Sequence, residues 1–229
     1  MEITGVRAAL LDVNCYAIAS GDGGPGSACL LIDAGHDCAA DLADLLDELG
    51  WRPEAVLLTH GHADHVLGLP GVLARFDVPA HIGAPDAHRL EDPAAGVSGA
   101  FSQMLAPLTA DWTPPPVRTV DDGDVLRIAG LTITATLAPG HTEGSMLYEI
   151  VDDAPTADGP PLVLASGDVL FAGSVGRTDL PGGDPQEMEA SLRALRTRPD
   201  SPVLPGHGPA TRLSHELTTN PFQIGRAHV

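Results

Sequence analysis

Six consecutive residues, His60-Gly61-His62-Ala63-Asp64-His65, place three imidazoles and a carboxylate directly after the apolar run Ala55–Leu58 and Thr59. A buried core cannot accept such a segment. The charged forms are costly to desolvate, and the imidazoles repel one another if protonated. The segment is therefore expected on a loop at a strand end, its side chains converging on cations. The same pattern returns three times. Leu131–Leu137 runs into Pro139-Gly140-His141, Leu162–Ala165 into Ser166-Gly167-Asp168, and Pro202–Leu204 into Pro205-Gly206-His207-Gly208. Rigid strands hold ligands in fixed geometry, and glycines let the backbone turn sharply around a site. Imidazole and carboxylate without thiolate suit Zn2+, Mn2+ or Fe2+, not a closed structural cysteine site.

Around these motifs the chain alternates strands and helices. Ala28–Ile32, Ala8–Val13, Tyr16–Ala19 and Met146–Val151 also read as strands. Leu42, Leu45, Leu46 and Leu49 share one face of a helix over Ala39–Leu49, which Gly50 stops. A second helix is predicted over Val66–Phe76. A third starts from Asp184 as N-cap, with Pro185 at its first position, Glu187 three residues after the cap, and Met188, Leu192 and Leu195 as its apolar stripe. The Pro/Gly-rich stretches Gly21–Gly26, Thr113–Pro116 and Asp152–Pro161 are too short to separate domains, so residues 1–223 are expected to form one layered α/β domain. Residues 224–229, Ile-Gly-Arg-Ala-His-Val, match the translation of a common sequencing adapter. They are expected to be a non-native tail, and His228 is left out of the site.

Composition narrows the function. With 43% hydrophobic residues in 229, the chain can bury a core and is not a disordered one. Its formal charge of −19 argues against nucleic acid as a partner. All 12 basic residues are arginine, which excludes lysine Schiff-base chemistry. No apolar run approaches the ~20 residues of a membrane span, and no signal peptide is visible. A cytoplasmic protein without a membrane partner is expected. Cys15, Cys29 and Cys38, odd in number and scattered, read as small buried hydrophobes. His36, His81, His88 and His215 lack the strand-then-ligand context and are expected in loops or at the surface, whereas Tyr148 reads as core.

The series Asp33, His60-x-His62-x-Asp64-His65, His141, Asp168 and His207 resembles the metallo-β-lactamase superfamily, over a stretch from about Asp12 to Phe222. The resemblance implies an α/β (α+β) four-layer αββα sandwich with a binuclear metal site at the edge of two sheets. His60, His62 and His141 would hold one metal, Asp64, His65 and His207 the second, and Asp168 would bridge them. Asp64 and Asp168 would serve the chemistry, with Asp33 and Thr59 behind the ligands. Asp168 together with His65 looks like the glyoxalase II (hydroxyacylglutathione hydrolase) branch more than the antibiotic-cleaving enzymes. The stretch Phe171–Asp184 is similar to short bacterial glyoxalase II-like proteins, in which a basic residue at the Arg177 position binds the thiol moiety. Arg177 can equally pair with Asp179.

The resemblance implies two divalent ions, Zn2+ with Mn2+ or Fe2+ as alternatives, and hydrolysis of a small acyl-thiol by hydroxide generated between them. Specificity would come from the loops around Arg177 and from Asp86–Trp112. Rival readings are a mononuclear-iron persulfide dioxygenase on the positions of His60, His141 and Asp168, a metal-dependent nuclease, and a non-catalytic metal-binding protein. The sequence leaves the oligomeric state open.

Overall fold

Period-two alternation sorts the side chains of the inner strands onto opposite faces. In the computed structural model, which describes residues 1–95, 97, 99–154 and 161–225, β3 (Ala28–Ile32) turns Leu30 and Ile32 towards one buried cluster and Cys29 and Leu31 towards another. The first cluster is the seam between two sheets. One sheet runs in sequence order through β1 (Glu2–Arg7), β2 (Asn14–Ala19), β3, β4 (Arg52–Leu57), β5 (Ala80–Gly83) and β6 (Arg118–Val120). The other consists of β7 (Val125–Ile128), β8 (Leu131–Leu137), β9 (Met146–Asp152), β10 (Leu162–Gly167), β11 (Pro202–Pro205) and β12 (Thr211–Arg212). Ile18, Ile32 and Leu57 of the first sheet meet Ile133, Tyr148 and Ile150 of the second.

Helices cover both outer faces and give the αββα order. On the first sheet, α1 (Ala39–Leu49) buries Leu42 and Leu46 against Leu31 and Val56. After the short α2 (Ala63–Val66), α3 (Leu69–Phe76) adds Leu69 and Val72 to the same layer. The helix α4 (Gly99–Thr109) lies further along the chain. On the second sheet, α5 (Pro185–Ala194) and α6 (Leu213–Thr219) bury Met188, Leu192 and Leu213 against Leu164 and Val203. Helices link the parallel pairs β3–β4, β4–β5 and β10–β11, because a parallel pair needs a long crossover.

The N-cap expected at Asp184 forms: its Oδ1 accepts from the Gln186 and Glu187 amides at 2.7 and 3.1 Å. Its own amide donates to the Gly140 carbonyl at 2.9 Å, which ties the helix start to the His141 turn. Asp184→Ala is expected to cost about 1 kcal/mol, read in urea unfolding as a lower midpoint at constant slope.

Three expectations need correction. Ala8–Val13 is a tight turn, with Leu11 and Asp12 left-handed at φ 57° and 54°; the strand lies earlier, at Glu2–Arg7 on the sheet edge. The helix predicted over Val66–Phe76 breaks between α2 and α3, where the Gly68 amide turns aside to donate to the Ala34 carbonyl at 2.9 Å. His81 is not a loop residue: it sits buried in β5, where burial and then Arg118 push its pKa down. His88 and His215 are exposed and His36 is half-buried, outside any ligand cluster. The three cysteines are buried and unpaired, and Tyr148 is core. Residues 155–160 of the third Pro/Gly-rich stretch, and Arg226–Val229 of the tail, lie outside the described residues. Among the described residues, no helix is long and apolar enough to cross a membrane.

Candidate metal centre

Every metal ligand expected from the sequence lies just beyond a strand end, and the sandwich brings those ends to one edge. The segment after β4 carries His60 and His62 in its loop and Asp64 and His65 in α2; the turns after β8, β10 and β11 carry His141, Asp168 and His207. Three groups have ligand atoms within 4.8 Å of one another: His60/His62/His141, His60/His65/Asp168 and Asp64/His65/His207. All seven predicted ligands therefore converge.

In the first group the Nδ1 of His62 lies 2.8 Å from Nε2 of His141 and 3.1 Å from Nε2 of His60. Burial, reinforced by neighbouring imidazoles, drives His60 and His62 well below the usual histidine range. The shift favours their neutral forms, whose ring nitrogens come close enough to share one cation. The second group is different. Burial alone would lower His65, but Asp168, Asp33 and Asp64 raise it to about 9. Asp168 and Asp64 likewise raise His207 to about 10 against burial. Asp64 and Asp168, which burial would raise, are held below the usual carboxylate range, with His65 the largest opposing influence on each. This half of the site demands positive charge, supplied by protons in the metal-free protein.

The far ring nitrogens of His60, His65, His141 and His207 are anchored, whereas Nε2 of His62 is buried without a partner. Nδ1 of His60 donates to the Thr59 hydroxyl at 3.1 Å, which donates to Asp33 at 2.9 Å; Nδ1 of His65 donates to the same Asp33 oxygen at 2.9 Å. The Thr59 amide adds a 2.7 Å bond to Asp33, a fully buried residue held left-handed at φ 60°. Nδ1 of His141 donates to the Arg177 carbonyl at 2.7 Å, and Nδ1 of His207 to that of Leu11 at 3.0 Å. Such anchors fix the tautomer and leave the other nitrogen as a ligand.

The residues fit divalent cations. The donor set is nitrogen and oxygen, with neutral imidazoles beside ionised carboxylates. Asp168 Oδ1 is buried without a hydrogen-bond partner, an arrangement that is costly without a cation or water beside it. A Cβ on Gly206 would strike that oxygen and the His65 ring, so only glycine lets the β11 turn approach this closely. Above the ligands opens a cavity of about 460 Å3, lined by His62, Asp168 and His207 on its floor and by Leu11, Phe101 and Phe171 among its apolar walls. Val97 and Phe101 come from the segment expected to govern specificity. Asp86, the start of that segment, does not line the cavity; it is fully buried.

A family model of the Metallo-beta-lactamase superfamily matches residues 8–207. The chain belongs to this superfamily. The αββα sandwich is the metallo-β-lactamase fold, as the solved structures show. BLEG-1 B3 metallo-beta-lactamase superposes with a TM-score of 0.77 at 30% identity, covering 97% of this chain and 99% of that one. TTHA1623 in a di-iron-bound form superposes at 0.73 with 34% identity, covering 96% and 99%. The hydroxyacylglutathione hydrolase GloC of Haemophilus influenzae is 30% identical over 196 residues, 84% of this chain and 85% of the relative. Membership, together with the His/Asp groups, makes this a metallo-hydrolase-superfamily chain with a site suited to divalent metals.

Arg177 sits at the cavity rim, but its guanidinium is engaged: Nε and Nη2 fork onto Asp179 at 2.6 and 2.7 Å. That pair raises Arg177 and lowers Asp179 to about 2. Sequence reasoning missed Asp86, Thr142 and Ser145, which tie the His62 and His141 loops together, and the Leu11 carbonyl that orients His207. Backbone carbonyls leave no mark in a sequence, and a lone aspartate after a strand reads as a turn residue.

Proposed function

We propose that the protein is a binuclear metallohydrolase that cleaves the thioester bond of a small acyl-thiol, in the manner of glyoxalase II. The observation that carries this reading is the group His60/His65/Asp168, which shares a histidine with each of the other two groups, at the floor of a substrate-sized cavity. Likeness to a hydroxyacylglutathione hydrolase supports the choice of bond. His60, His62 and His141 would hold one ion, Asp64, His65 and His207 the other, and Asp168 would contact both. Divalent ions there, Zn2+ in our reading and Mn2+ or Fe2+ as substitutes, supply Lewis acidity and lower the pKa of a water towards neutral.

The chain's own residues do the rest. Asp168, held below the usual carboxylate range at the cavity floor, would help to orient the attacking water towards the carbonyl. Asp33 and Thr59 keep His60 and His65 from rotating. Leu11, Phe101 and Phe171 exclude bulk water around the acyl group. A thiolate leaves without a proton donor, so no general acid is needed.

A panel of S-lactoylglutathione, neutral acyl-thioesters, a β-lactam and a persulfide with oxygen-uptake recording tests the reading. Thioester cleavage is the expected result. The likeness to BLEG-1 favours the β-lactam as rival, and ring opening without thioester cleavage would overturn the proposal. Arg177 would bind a substrate carboxylate by releasing Asp179, because their exposed ion pair is weak. Arg177→Ala is then expected to raise KM for an anionic thioester roughly 10- to 100-fold, with kcat and neutral thioesters little changed. Asp179→Ala should lower KM for the anionic substrate. Unchanged KM in both variants would make the pair structural.

A further inference from the structure

One buried carboxylate outside the ligand set spans the two sheets. Asp86 lies in the 3-10 helix Ala84–Leu90 that follows β5, and it is fully buried. Its Oδ2 accepts from the Gly61 amide at 2.7 Å and from the Thr142 hydroxyl at 2.8 Å. Its Oδ1 accepts from the Gly144 amide at 2.7 Å and from Arg89 Nε at 3.3 Å. Gly61 stands between His60 and His62, and Thr142 follows His141. The Thr142 and Ser145 hydroxyls, 2.7 Å apart, complete the knot.

An aspartate serving only its own helix would bond the amides of that turn. Asp86 instead reaches donors 25, 56 and 58 residues away. The fit is close: a Cβ on Gly144 would overlap the Asp86 carboxylate, so this turn must be glycine for the carboxylate to reach across. Arg89 backs the carboxylate and is itself held by Glu143 and by the Pro181 carbonyl. The result is a bracket between the His60–His62 loop of the first sheet and the His141 turn of the second. The Asp64/His65/His207 group has other anchors, namely Asp33 on His65 and the Leu11 carbonyl on His207.

We propose that Asp86 is a positioning residue that fixes the separation of His62 and His141, and so sets the cation affinity of the His60/His62/His141 group alone. This rests on the two-ion reading of the site. Asp86→Asn replaces one acceptor oxygen with a donor facing the Gly61 or Gly144 amide, which forces the two loops apart. Thr142→Val removes one of the four bonds, and Thr142→Ser keeps it.

The test is a Co2+ titration of stripped full-length protein against a chromophoric chelator, resolving two stepwise affinities. His62→Ala identifies which affinity belongs to the His60/His62/His141 group. Asp86→Asn is expected to weaken that affinity roughly 10- to 100-fold, leaving the other within about twofold. Thr142→Val should shift it in the same direction by less, and Thr142→Ser should restore it. If Asp86→Asn does not fold, the Thr142 pair decides on the same terms. A parallel loss at both sites, or no loss at either, overturns the positioning role. Wild-type protein that takes up fewer than two ions overturns the two-site reading instead.

Discussion

Stripping the protein with a chelator is expected to abolish thioester hydrolysis, and adding back Zn2+, Mn2+ or Fe2+ to restore it. The expectation follows from where charge is missing. Asp64 and Asp168 are buried and held below the usual carboxylate range, chiefly by His65, while they in turn raise His65 and His207 to about 9 and 10. Neither imidazolium can supply hydroxide at neutral pH. Ion uptake displaces those protons and also stabilises the fold. At a free-ion concentration about 100 times Kd, each site adds about 2.7 kcal/mol, a rise in Tm of roughly 5–10 °C for a chain of this size. Activity is followed by thiol release, metal by elemental analysis and stability by calorimetry. Full turnover in metal-free protein would remove the mechanism entirely.

His60→Ala and Asp168→Ala are each expected to lower kcat by at least about three orders of magnitude, because the nucleophile depends on bringing the pKa of water from about 15.7 to about 7. His60 belongs to two of the three ligand groups, and Asp168 lies 3.4 Å from His65, His141 and His207. Bound metal, expected at about two ions per chain in the wild type, should fall in both variants. His88→Ala and His215→Ala, at exposed positions, should stay within about twofold of wild type. An equal loss in all four variants would mean that the histidines had been sorted wrongly.

The candidate ligands were legible because His60, His141, Asp168 and His207 each follow an apolar run beside a glycine, and His62, Asp64 and His65 cluster directly after His60. Imidazole or carboxylate in that place has few structural uses. The inner strands were legible for a related reason: Leu30, Leu31 and Ile32 are buried on both sides of their sheet, so the run is continuously apolar. The edges were not. Glu2–Arg7 pairs on one side only and exposes much of its length, and Arg118–Val120 is three residues long. Long-range polar bonds were also invisible. Nothing in the sequence ties Asp86 to Gly61 and Gly144, because the pairing exists only once β5 lies beside β4 and the two sheets face each other. For Arg177 both partners were readable, Asp179 and a substrate carboxylate, but not the choice between them, since a guanidinium meets Asp179 as readily as a ligand.

Each of the three ligand groups takes two residues from the loop after β4 and one from the second sheet: His141, Asp168 or His207. Neither half of the sandwich holds a complete set. An ion held there would be fully coordinated only with the halves docked, so its binding energy would favour the docked sandwich over either half alone. A half-chain would scarcely retain metal, while two complementary fragments would be drawn together by it.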